Sequence, residues 1–113
     1  MDDRDRDLLQ AIAGHARIAL GYATEMGTGW DRDIKTIDAV SKRLEQVGEL
    51  AKRLTPDALA VLEEIDWRGV KGMREILAHD DEDVDVAIVR EAISVKLPRL
   101  VEGIERVLFV EGA

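Results

Sequence analysis

Cysteine is absent from this 113-residue chain. That excludes a disulfide framework and thiol chemistry, and it suits the cytoplasm. Aromatic residues make up only 4% of the chain, so a core must be built from Leu, Ile, Val and Ala. Long apolar runs are missing too. None approaches the roughly 18 residues of a membrane span, and the opening "MDDRDRD" is the reverse of a secretory leader. Net positive charge is also lacking: the formal charge is −8 and the pI about 4.7. This argues against broad, non-specific attraction to nucleic acid and leaves room only for a local basic site. The two histidines are far apart and the acids scattered, which is no metal constellation. A glycine-rich phosphate loop and a Ser-His-Asp order are missing as well. The reading is therefore one domain over residues 1–113, with no metal and no cofactor. With 46% hydrophobic and 35% charged residues, it is folded, soluble and helix-rich.

What is present is helical periodicity. Leu8, Ile12, Ala16, Ala19 and Ala23 predict a first helix from about Arg4 to Met26. "GTGWD" ends it, and Asp31 or Asp33 can cap the next. A second helix is expected over about Asp33 to Leu54. There Ile37, Val40, Leu44, Val47, Ala51 and Leu54 form a seam that packs on a partner helix, either within the chain or across a dimer. Thr55 and Pro56 read as the N-cap and first position of a short third helix to about Glu64. Asp66 is placed to cap a fourth, opened by Trp67. The fifth runs from about Asp85 to Val110 with Val86, Val89, Ile93, Leu97, Leu100, Ile104 and Val107 on one side. Pro98 cannot donate to the Ser94 carbonyl, which predicts a kink there. The fold class is all-α: an up-and-down bundle of four main helices plus one short one.

The fourth helix carries the unusual residues. At about 100° per residue, Trp67, Val70, Met73 and Leu77 share a buried arc, and Arg74 falls inside it. Such an arginine either pairs with a carboxylate of another helix or is held at the floor of a cleft to meet an anion. His79 falls on the far side with Glu75, its i, i+4 neighbour, which can orient the imidazole and favour its charged form. A solvated helix-end histidine offsetting the dipole is the plainer alternative. Arg74 and His79 do not share a face of an ideal helix. For both to serve one site, the helix must unwind near His79 or a second subunit must contribute. Arg68, Lys71 and Arg74 make the strip locally basic, and Gly69 and Gly72 keep its surface low. His15 reads as a boundary residue of the first helix.

The stretch "WRGVKGMREILAH", preceded by "AVSKRLEQVGELAKRLTP" and followed by "VAIVREAISVKLPRLVEGI", resembles the HepT-like branch of the HEPN superfamily over nearly the whole chain. The resemblance rests on Arg74 and His79 with four residues between them, supported by the upstream tryptophan, "GMR", "GE-x-A-K" and "LP-x-L". It implies a HEPN-like bundle, a homodimer, and a metal-independent endoribonuclease toxin whose antitoxin is a minimal nucleotidyltransferase. Arg74 and His79 would then be catalytic, in a cleft at the dimer interface, with RNA as substrate. Glu75, Arg68 and Lys71 would support it. Two positions depart from the family pattern. Glu75 replaces a small polar residue, and Asp81 replaces a tyrosine that in relatives receives AMP from the partner. The implied consequence is that AMP transfer at this position does not silence the protein. Asp80, Asp81, Glu82, Asp83 and Asp85 would act by charge instead.

Overall fold

A computed structural model describes the backbone of residues 1–79 and 85–112, and the side chains of all of these except residues 74–79 and 111–112. Among the described residues there is no strand, and the elements follow in the expected order. Helix α1 spans Asp3–Met26, α2 Ile34–Ala51, α3 Pro56–Val61, α4 Trp67–His79, α5 Val86–Glu91 and α6 Leu97–Gly112. A 3-10 turn, Trp30–Arg32, precedes α2, and a π-turn, Ala92–Lys96, joins α5 to α6.

The capping residues read from the sequence make the bonds expected of them. Asp33 accepts from the Thr36 amide at 3.1 Å, Thr55 from the Ala58 amide at 3.3 Å, and Asp66 from the Gly69 amide at 3.1 Å. Each satisfies an amide that has no partner in the first turn of its helix. Asp31, the other candidate cap, instead accepts from Arg90 Nε at 2.8 Å and ties the loop before α2 to α5. Gly27 and Gly29, with φ of 80° and 93°, turn the chain out of α1.

Two helices end earlier than the periodicity suggests. Helix α2 stops at Ala51, and residues 52–54 form tighter turns, with the Leu54 amide bonded to the Ala51 carbonyl. Helix α3 stops at Val61 rather than near Glu64. There the Leu62 carbonyl accepts from the Ile65 amide in a tighter turn and from the indole N–H of Trp67, both at 3.0 Å.

Helices α1 and α2 are antiparallel neighbours. His15 meets Arg43 near their middle, and Asp5 meets Thr55 at the far end. Helix α6 packs on the other side of α1, tied by an Arg17–Glu105 ion pair, and α4 packs on α2. All six seam residues of α2 are buried: Val40, Leu44, Val47 and Ala51 completely, Ile37 and Leu54 nearly so. The seam is thus covered within the chain by α1 and α4. The expectation that part of it serves a dimer is corrected: no apolar surface is left there for a second copy.

The disturbance expected at Pro98 takes the form of the π-turn. The Leu97 amide bonds to the Ala92 carbonyl, five residues back, immediately before the proline that has no N–H to offer. The buried positions accordingly step from Val89 and Ala92 to Leu97, Leu100 and Ile104.

Candidate functional site

Helix α4 is built as its sequence suggests on the core side. Trp67, Val70 and Met73 are buried at 8%, 2% and 2% exposure, against α2. Its backbone remains regular α-helix through His79, so the helix does not unwind before that residue. At roughly 100° per residue, the backbone positions of Arg74 and His79 lie about 140° apart around the axis. Arg68, Gly72, Glu75 and His79 fall along one stripe of the helix, opposite the buried arc. The side chains of Arg74, Glu75 and His79 lie outside the described ones. Asp81, with Asp80, Glu82 and Asp83, lies outside the described residues altogether. Asp85 caps α5, accepting from the Ala87 amide at 3.0 Å.

The described part of the basic strip divides by position. Arg68 is exposed and Lys71 half-buried. Arg68, Gly69, Gly72 and Met73 form one wall of a surface groove of about 390 Å³. The facing wall comes from Ile88 and Glu91 of α5 and Lys96 of the π-turn, and Asp66 closes the end. A smaller cavity of about 220 Å³ continues past Asp66 and Lys96 to Arg99, with Glu64 and Glu91 beside it.

The two glycines play different parts. A Cβ at Gly69 would run into the Asp66 carboxylate and come within 3.3 Å of Lys96 Nζ, so this glycine lets the cap and the ammonium close over the helix. Around Gly72 there is nothing within 4 Å of such a Cβ, so no contact among the described residues requires that glycine.

Lys96 and Arg99 are the additions that sequence reading missed. Lys96 stands in both cavities because the π-turn carries it there, and the one hint in the sequence is Pro98 two residues on. The groove's charges are mixed: Arg68 and Lys96 face Asp66 and Glu91. Among the described residues no three His, Cys, Asp or Glu side chains are placed to hold one metal ion, and no helix is long and apolar enough to cross a membrane.

His15 does lie at a boundary, half-buried between α1 and α2. Its Nδ1 is 2.9 Å from Arg43 Nη1. A guanidinium only donates, so Nδ1 accepts and the ring's proton sits on Nε2. Burial first, and the Arg43 charge second, hold the imidazole below its ordinary pKa.

Residues 12–107 match the family described as ribonuclease HepT-like. Over 77 residues the chain is 29% identical to a protein of Methanocaldococcus jannaschii named as a candidate RNase, covering 68% of this chain and 64% of the relative. Over 68 residues it is 35% identical to a protein of Thermococcus cleftensis named, by inference, as a ribonuclease HepT, covering 60% and 62%. The chain thus spans somewhat less than two thirds of the length of each relative. No solved structure matches it.

Proposed function

This chain belongs to the HepT-like ribonuclease family, and from that premise we propose that it is a metal-independent endoribonuclease that works as a homodimer. The observation that carries this reading is the unbroken α4 helix. A regular helix holds Arg74 and His79 about 140° apart. One chain therefore presents them to different sides, whereas two α4 helices brought together can offer the Arg74 of one and the His79 of the other to a single phosphodiester. His79 moves the proton of the ribose 2′-hydroxyl as general base, or protonates the leaving oxygen. Arg74 stabilises the charge that builds on the phosphorane oxygens. Glu75, one helical turn before His79, orients the imidazole, while Arg68 and Lys71 draw the strand onto an otherwise acidic molecule. The biological role that fits is the toxin of a toxin–antitoxin pair whose antitoxin is a minimal nucleotidyltransferase. Asp81, lacking a phenol, takes no AMP from that partner.

The test is cleavage of a labelled RNA in the presence of EDTA. Arg74→Ala and His79→Ala each remove activity, by about a hundredfold or more. Mixing the two inactive variants restores part of it, because one heterodimer in which sites are shared keeps an intact Arg–His pair. Equal cleavage by wild type and His79→Ala, or no recovery on mixing, sinks the shared site. Because Gly72 is open among the described residues, Gly72→Leu leaves the monomer fold intact and reduces the dimer fraction in light scattering.

A second reading is favoured by one local feature. Glu75 and His79 lie on the same stripe, and Glu75 adds negative charge where RNA phosphate would come. In that reading the chain is a non-catalytic, or weakened, dimeric partner of the nucleotidyltransferase. Induced expression that slows growth in wild type but not in His79→Ala excludes it.

A further inference from the structure

The groove between α1 and α2, away from α4, has a composition unlike the rest of the molecule. Its two adjoining hollows, of about 340 and 350 Å³, share Tyr22 and Ala39 as a common wall. His15, Lys42, Arg43 and Gln46 line one; Lys35, Thr36, Glu25 and Met26 line the other. Three permanent cations thus face one acid, in a chain where Asp and Glu outnumber Lys and Arg by 24 to 16.

The cations are also available. Arg43 has no carboxylate partner among the described residues; its recorded hydrogen bond is to the neutral imidazole of His15, which takes none of its charge. Lys42 is held only loosely, 3.9 Å from Glu45, with 68% of its side chain exposed. Arg17, Arg90 and Arg106, by contrast, are matched to acids: to Glu105, Asp31 and Glu64. An unpaired guanidinium, oriented by a ring nitrogen and beside a half-buried tyrosine, is the equipment that holds a phosphate while a base stacks next to it.

We propose that the α1–α2 groove binds the single-stranded RNA substrate outside the scissile bond, with Arg43 and Lys42 meeting backbone phosphates and Tyr22 stacking on a base. His15 is a positioning residue: its Nδ1 fixes the direction of the Arg43 fork. Lys35 lies about two helical turns along α2 from Lys42, roughly 10 Å, and serves a further phosphate on the far side of Tyr22. The inference rests on the ribonuclease reading, but it concerns binding, and can be measured without catalysis.

The probe is a short, labelled 2′-O-methyl RNA, which lacks the attacking hydroxyl and so is not cut. Its affinity for the intact protein is read by fluorescence anisotropy over a range of salt. The double variant Lys42→Gln, Arg43→Gln weakens binding by about tenfold or more and flattens the slope of log K against log salt by about 1.4, the loss of two single-strand phosphate contacts. Tyr22→Leu weakens binding by about tenfold and leaves the slope unchanged. Arg53→Gln, a charge loss beyond the groove next to Glu49, leaves both nearly as they are. Circular dichroism confirms that each variant is folded.

The inference is overturned if wild type does not bind the probe. It is overturned if Lys42→Gln, Arg43→Gln behaves like Arg53→Gln. It is also overturned if that double variant changes the molar mass in light scattering, which would make the groove a contact between copies. Failure of wild type to cut ordinary RNA, with the binding pattern intact, removes the catalytic reading and leaves this one standing.

Discussion

Two of the molecule's grooves treat charge in opposite ways. In the groove beside α4, Arg68 and Lys96 face Asp66 and Glu91, so cations and acids balance. In the groove between α1 and α2, cations stand almost alone. The difference has a structural origin. The α4 groove starts at a helix N-terminus, where Asp66 must be present to bond the Gly69 amide. The α1–α2 groove runs from the helix flanks at His15 and Arg43 to the last turn of α1 and the first turn of α2, where Asp33 bonds the Thr36 amide without lining the groove. A capping carboxylate can stand inside a groove, as Asp66 does, or beside one, as Asp33 does.

This contrast can be broken from either side. The largest effect is expected at Trp67, which stands behind the α4 groove with its indole on the Leu62 carbonyl. Trp67→Ala opens a cavity and removes one of the two hydrogen bonds to that oxygen, at a cost of about 3–5 kcal/mol in urea unfolding. Next comes the clasp that fixes α1 against the end of α2. Asp5 is 2% exposed and accepts from the Thr55 hydroxyl at 2.6 Å and the Thr55 amide at 3.0 Å. Asp5→Ala leaves those donors unpaired and costs about 1–3 kcal/mol by the same measurement. Any lesser loss indicates that water reaches the site.

Smaller in energy but more telling is Asp66→Ala. It removes a cap worth about 1 kcal/mol and one of the acids of the α4 groove. Affinity for single-stranded RNA rises and its salt dependence steepens, so the two grooves come to resemble each other; unchanged affinity would show that the α4 groove does not face RNA.

The smallest effect is in pH. His15 titrates below its ordinary range in the folded chain, so between that lowered value and about 6.5 the unfolded chain binds more protons, and stability falls as pH drops through this window. Burial, the largest single cause, would raise the Asp5 carboxyl, but the hydrogen bonds with Thr55 and Asp2 together outweigh it and its pKa ends lower than usual. Its contribution is therefore full above about 3.9 and is lost as pH falls further. His15→Gln removes the upper part of the acid loss in thermal melts and leaves the lower part.

Much of this architecture is legible in the sequence because it is local. Asp33, Thr55 and Asp66 stand directly before the helices they cap, and the apolar spacings of α1, α2 and α4 report which faces are buried. What depends on distant parts of the chain is not legible. The bond from the Trp67 indole to the Leu62 carbonyl joins α4 to the end of α3, and no spacing rule marks it. The α2 seam is plain, but nothing in it says that α1 and α4 cover it rather than a second copy. His15 and Arg43 are 28 residues apart, and no spacing rule joins them. At the candidate site, the motif Arg74–His79 and its angular mismatch follow from the sequence alone. That α4 continues unbroken through His79 is what the backbone adds, and it removes unwinding before His79 as a way of bringing the two residues to one site.

The π-turn at Ala92–Lys96 has a consequence for chain length. Such a turn holds one residue more than the same stretch of α-helix requires. The buried positions take a five-residue stride from Ala92 to Leu97, then return to strides of three and four. A shortening by one residue between them would draw Leu97, Leu100 and Ile104 back into ordinary helical phase with Val89 and Ala92, and the core contacts of α6 would survive. The same shortening in the middle of α2 would swing half of its seam toward water. This segment is thus the one stretch of helix described that carries slack, and Lys96, standing over Gly69, owes its place to that surplus residue.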